Sequence, residues 1–273
     1  IFFQSSIFMR ISILILLLFV SFSTTNCGKS KSKSSTNFNK LIWSDEFNDD
    51  GPINSEKWFL QTQLPSGGDW YGGLVNHYTN RTENSYVKDG FLNIVAKKEI
   101  FNDQGEIKEY TSARLNSKFA FTYGRVEVKA KLPFGIGTWP AIWMLGSNHP
   151  TVGWPFSGEV DIMEQRGNDK TYVEGTCHWY NSAGSNNASY GEITSIENPS
   201  TEFHLYTLEW TEDAIKIFLD DVKYYELPNS ADLPFNADFY LILNVAMGGT
   251  NGGDIDPAFT QDTMEIDYIK VFQ

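Results

Sequence analysis

Gly158-Glu159-Val160-Asp161-Ile162-Met163-Glu164 sets three carboxylates among apolar residues. In a β-strand successive side chains point to opposite faces. Glu159 and Asp161 then share one face, with Val160 and Ile162 on the other. Strict alternation puts position 163 on the acidic face, but that residue is Met, and the next acid, Glu164, comes one place late. A β-bulge adding one residue returns Glu164 to the acidic face, and bulges are frequent beside active sites. Flat strand over this distance spans roughly 13–16 Å at about 3.3 Å per residue. Glycoside hydrolysis needs two carboxyls about 5–5.5 Å apart for retention, or about 6.5–9.5 Å for inversion. That chemistry therefore demands a curved sheet with a bulge. A solvent-facing acidic strand edge and a Ca²⁺ site are the other readings of the same spacing.

The rest of the chain sets the frame. Its 273 residues suit one large domain, and 41% hydrophobic with 15% aromatic content supports a sizeable core. The net charge of −13 argues against nucleic acid as a partner and, more weakly, against an acidic polysaccharide, since charge within a cleft can differ from the net.

Residues 1–26 read as an export signal. Met9-Arg10 precedes the apolar run Ile11 to Val20 and a small, polar end, with 1–8 as an upstream extension. The apolar run is too short for a bilayer-spanning helix. Cys27 follows directly, as in bacterial lipoprotein signals, although Asn26 stands where a small residue is usual. Lipidation at Cys27 is one expectation, giving a cell-surface or outer-membrane lipoprotein; plain secretion is the other. Residues 27–39 are polar and low in complexity, as a flexible tether is. With Cys27 lipidated, Cys177 has no partner for a disulfide.

From Leu41 onward, short alternating runs such as Arg125 to Ala130, Ile215 to Asp220 and Met264 to Phe272 read as strands. Phe239 to Val245 is nearly all apolar, as a strand covered on both sides is. Turn signals such as Lys88-Asp89-Gly90 separate the runs. No long helical periodicity appears, so an antiparallel β-sandwich is expected over residues 40–273. Trp139 and Trp143, four apart on one strand, share a face. They offer flat apolar platforms for sugar rings, or else belong to the core. Trp70, in a Gly-rich stretch with Tyr71, is expected to line the same groove. His178 is placed either to orient an acid or to serve structure alone.

Trp43-Ser44-Asp45-Glu46-Phe47, Tyr110-Thr111-Ser112-Ala113-Arg114, Trp139-Pro140-Ala141-Ile142-Trp143, the acidic stretch and Leu243-Asn244-Val245-Ala246-Met247-Gly248-Gly249 follow in order. Together they resemble glycoside hydrolase family sixteen, its laminarinase-type endo-β-1,3(4)-glucanases above all, from about Leu41 to the C-terminus. The resemblance implies a concanavalin-like β-jelly roll, all-β, with two curved antiparallel sheets and a concave substrate groove. It implies endo-acting, retaining hydrolysis of β-1,3-glucan or mixed-linkage β-1,3/1,4-glucan through a covalent glycosyl-enzyme. Glu159 is then the nucleophile, Glu164 the acid and base, and Asp161 the tuning group between them. Like charge raises a carboxyl pKa, so Glu164 is expected to titrate high while Glu159 stays ionised. Arg114, Trp139, Trp143, His178 and Asn244 match groove-lining positions.

No cofactor is implied for catalysis. A structural Ca²⁺ is, held by Glu46, the Gly90 carbonyl and Asp267. The expected partner is a β-glucan, with a monomeric chain that meets membrane only through its lipid. One stretch departs from the pattern: Gly72, Gly73 and Leu74 stand where an amide and an acid usually meet sugar at the non-reducing end. A family galactanase of agarase type, and a non-catalytic lectin on the same fold, remain the alternatives. A lectin is expected to lose Glu159 or Glu164, and both are present.

Overall fold

Strand-forming runs between turns build two stacked sheets in the computed structural model, which describes residues 37–273. The signal-like segment and Cys27 lie outside the described residues. One sheet has seven strands in the order Asn186–Ser195, Tyr172–Asn181, Glu159–Glu164, Thr138–Gly146, Phe239–Met247, Arg114–Phe121 and Trp58–Leu60. The other has ten. Its path runs Val222–Pro228, Ala214–Leu219, His204–Trp210, Gly124–Lys131, Gln261–Phe272, Phe91–Asp103, Glu106–Ser112 and Asn76–Tyr78. Leu41–Asp45 pairs beside Gln261–Phe272, and Ser85–Lys88 beside Phe91–Asp103.

Among the described residues, strand pairing is antiparallel except between Asn76–Tyr78 and Glu106–Ser112. The Asp89-Gly90 signal forms a two-residue hairpin turn. Both residues have positive φ, 53° and 82°, which suits Asp followed by Gly. Among the described residues the only α-helices are the four-residue His149–Val152 and Gly249–Gly252.

The alternating strands turn their apolar residues into one core between the sheets. Leu92, Ile94, Val126, Val128, Ile215, Ile217, Ile266 and Ile269 from the ten-stranded sheet meet Ile142, Met144, Leu241, Leu243, Val245 and Met247 from the other. Each such burial is worth about 1.5–3 kcal/mol. Phe239–Met247 is buried along its length except at Tyr240, as its apolar run predicts, because it lies in the middle of its sheet. A second cluster of Leu64, Trp70, Leu74, Tyr78 and Ala246 packs with Trp139 on the opposite, concave face. It anchors the loop segment that carries Gly72 and Gly73, which forms one wall of the groove.

Candidate active site

The acidic strand carries the expected bulge. Glu159 pairs with Leu145, Val160 with Met144 and Asp161 with Trp143, and then Met163 pairs with Ile142 and Glu164 with Ala141. The register shifts against Tyr172–Asn181 at the same place. Val160, Ile162 and Met163 all enter the core. The extra residue thus goes inward, and Glu159, Asp161 and Glu164 share the concave face.

Neighbouring strands complete the cluster. His178 lies opposite Glu159, with Nε2 4.0 Å from Glu159 Oε1 and 3.3 Å from Asp161 Oδ2. Trp139 Nε1 donates a 2.8 Å hydrogen bond to Glu164 Oε1. Asn251, on the second short helix, faces Glu164 and slightly lowers its pKa. Trp143 Nε1 donates to Asn244 Oδ1 at 2.8 Å. Register explains the assembly: Glu174, Glu164, Ala141, Asn244 and Arg114 form one row across five strands. Ala141 keeps the middle of that row low.

Burial raises all three carboxyls, because the charged form loses water. Glu159 is pushed up to about 8, chiefly by burial and then by Asp161. Asp161, only 3% exposed, is raised by burial, Glu164 and Glu174. Glu164 is raised by burial, while the Trp139 hydrogen bond opposes the shift. The expectation that Glu164 titrates high holds. The expectation that Glu159 stays ionised is corrected: in the empty groove its own desolvation outweighs the help of His178 and Arg114. Three neighbouring carboxyls hold fewer than three charges.

The groove residues expected from sequence converge here, with one change of role. Trp139 and Trp143 are both partly open on the concave face. Arg114 sits with its guanidinium 4.7 Å from the Trp143 ring and 5.3 Å from the Trp70 ring. Trp70, expected to line the groove, lies beneath it instead. It is 5% exposed and packs edge-on against Tyr78, so it supports Arg114 from behind. Its neighbour Tyr71 is 88% exposed. Gly72 has a packing reason: a Cβ there would come within 3.3 Å of the Trp139 ring, and its φ is +87°. The loop backbone lies against Trp139, so a larger residue would strain the backbone and press on the ring.

Glu46, Gly90 and Asp267 belong to the ten-stranded sheet and its edges, away from this face. Glu46 pairs with Lys270 and Asp267 with Lys129. Glu46 lines a hollow with Asp45 and Trp58, and a second hollow lies between Leu74 and Lys108; neither reaches Glu159, Asp161 or Glu164. An open groove for a polymer is not an enclosed cavity.

Several residues escaped the sequence reading. Glu174, opposite Glu164, salt-bridges Arg166 and raises both Asp161 and Glu164. Trp154 stands 6.1 Å from the His178 ring, and Phe156 stacks on Tyr180 at 4.3 Å. Both Trp154 and Phe156 are about half exposed. The available signal was Gly153-Trp154-Pro155-Phe156, aromatics inside a turn just before the acidic strand.

The Glycosyl hydrolases family 16 model matches residues 76–270. A crystal structure of a LamA variant from Zobellia galactanivorans, in complex with laminaritriose and laminaritetraose, superposes with a TM-score of 0.84 at 50% identity. That match covers 87% of this chain and 100% of that one. The beta-glucanase of Rhodothermus marinus is 39% identical over 251 residues, covering 86% of this chain and 85% of that protein. Glucan endo-1,3-beta-glucosidase A1 of Niallia circulans is 36% identical over 257 residues, of which this chain spans only 38% of the length.

Proposed function

The chain belongs to glycosyl hydrolases family 16, and from that premise we propose that it is an endo-acting β-1,3(4)-glucanase working with retention. The observation that carries this is the bulge, which sets Glu159 and Glu164 on one groove face with Trp139 fixing Glu164. Glu159 attacks the anomeric carbon and forms the glycosyl-enzyme, while Glu164 protonates the departing oxygen. Glu164, now a base, then takes a proton from the water that releases the sugar. Asp161, the most deeply buried of the three, holds a proton, so that the charge Glu159 takes on before it attacks meets no ionised neighbour there. Arg114, Asn244, Trp139 and Trp143 bind the sugars before the cleaved bond. Trp154, Phe156, Tyr180 and His178 form the shelf beyond it.

The lipoprotein-like start supports export with a lipid on Cys27. The oxygen set of Glu46, the Gly90 carbonyl and Asp267 suits a structural Ca²⁺, which has to displace Lys270 and Lys129 from the two carboxylates. The protein acts as a monomer.

The test is product analysis on laminarin, barley mixed-linkage glucan, agarose and κ-carrageenan, with Glu159→Gln as control. Short β-1,3 oligosaccharides from laminarin, and a loss of roughly 10²–10⁴-fold in the variant, are expected. Preference for mixed-linkage glucan would place specificity at Gly72-Gly73-Leu74. Binding without cleavage by both proteins would establish the lectin alternative instead.

A further inference from the structure

Glu159, Asp161 and His178 form a set whose hydrolytic roles leave Asp161 Oδ2 without a hydrogen-bond partner. One ligand atom from each lies within 4.8 Å of the other two. The 3.3 Å approach of Asp161 Oδ2 to His178 Nε2 is close enough for an ion pair, yet it lacks hydrogen-bond geometry. Oδ2 is buried and has no hydrogen-bond partner at all. An imidazole nitrogen and a buried carboxyl oxygen held this close, with no hydrogen bond between them, leave room for a shared cation that displaces the Asp161 proton. Zinc takes nitrogen at about 2.0–2.1 Å and carboxylate oxygen at about 2.0–2.2 Å, so tetrahedral ligand atoms stand roughly 3.3–3.5 Å apart. The Asp161–His178 pair already has that spacing. Glu159, 4.0 Å from His178 Nε2, reaches it by moving about half an ångström.

We propose that Glu159, Asp161 and His178 form a transition-metal site, suited to Zn²⁺, with its fourth position open to the groove. The donor set points to this class of ion: one imidazole with two carboxylates suits Zn²⁺, whereas Ca²⁺ takes oxygen alone. The open position follows from exposure, since His178 keeps 29% and Glu159 19% of its side chain facing solvent. A bound ion occupies the oxygen that attacks the sugar, so metal and glucan exclude each other. That consequence rests on Glu159 being the nucleophile; the metal site itself does not.

Zn²⁺ alone is titrated into the full chain with ¹⁵N-labelled histidine, and the four imidazoles, of His77, His149, His178 and His204, are followed by NMR. The His178 signals, identified by their loss in His178→Gln, are expected to move first and saturate at one equivalent. Glu159→Gln and Asp161→Asn are each expected to weaken binding at least about 10–100-fold, the loss typical of perturbing a metal site. Movement of His204 first would overturn the proposal, since it has its own carboxylate, Asp220, at 2.7 Å. So would unchanged affinity in Glu159→Gln with the fold intact. The wild-type titration needs no variant to fold. Zn²⁺ inhibition competitive with glucan completes the test. Binding at His178 that leaves hydrolysis untouched keeps the metal site and removes Glu159 from the nucleophile role.

Discussion

Desolvation sets the charge of Glu159 before any sugar arrives. Its carboxyl is pushed up to about 8, from an ordinary value of 4.5. The folded protein therefore binds a proton that the unfolded chain releases near pH 4.5. Stability linked to this group is fully present below that pH and is lost as pH rises toward 8, because the native state then has to bury a charge. A tenfold change in proton affinity is worth about 1.4 kcal/mol, and partial solvation in the groove trims the total to about 2–4 kcal/mol. Glu159→Gln is expected to lose less stability than the wild type between pH 5 and pH 8 in urea unfolding, the remainder coming from Asp161 and Glu164. Equal pH dependence in the two proteins would show that Glu159 is not the source of the effect. Activity follows the same groups. Its acid limb reflects ionisation of the cluster and its basic limb loss of the Glu164 proton, so both limbs lie above the ordinary carboxylate range. A flat acid limb would count against the assignment. The three acids were legible in the sequence because they lie on one strand. The raised Glu159 was not, because its cause is packing from neighbouring strands.

The bulge is the element that makes the site, and it can be tested by deletion. Without Met163 the strand alternates as Glu159, Val160, Asp161, Ile162, Glu164. Glu164 then keeps Ala141 and Glu174 opposite it in regular register, since Asp161 pairs with Trp143 and Thr176 on the same two neighbours. This deletion is expected to cost about 2–5 kcal/mol, as losing a buried Met side chain does, yet to keep measurable hydrolysis. Removing Ile162 and Met163 together turns Glu164 into the core and is expected to abolish both activity and soluble expression. Two folded deletion proteins with the same activity would show that the bulge does not set the face. The late position of Glu164 revealed this bulge from sequence alone, because period-two alternation has a single phase to violate. The turn before the strand carried no such phase, so the shelf of Trp154 and Phe156 went unread. Its ring faces make a second prediction. Trp154→Ala is expected to raise KM for long glucans by about 3–10-fold, the worth of one aromatic contact, with kcat nearly unchanged. Equal KM values would remove Trp154 from the sugar path.

At the scale of the whole molecule the two sheets divide the work. The seven-stranded sheet turns its concave face to the substrate, and the ten-stranded sheet closes the core behind it. The motif order made this layering legible. The parallel pairing of Asn76–Tyr78 with Glu106–Ser112 was not, since it joins segments about thirty residues apart at a sheet edge. The division predicts that a cation on the far sheet changes stability and not chemistry. Glu46 and Asp267 there are neutralised by Lys270 and Lys129. Ca²⁺ bound by Glu46, Asp267 and the Gly90 carbonyl replaces those partners with a stronger oxygen-seeking charge. At a hundredfold excess over its Kd, such an ion stabilises the fold by about 2.7 kcal/mol. For a domain of this size that corresponds to roughly 5–10 °C in Tm. Calorimetry with Ca²⁺ and with EDTA is expected to differ by that much, while kcat on laminarin at 25 °C changes by less than about twofold. Glu46→Gln with Asp267→Asn is expected to erase the difference. A Tm indifferent to Ca²⁺ in the wild type would leave Glu46 and Asp267 as ordinary surface ion pairs, with the lysines as their lasting partners.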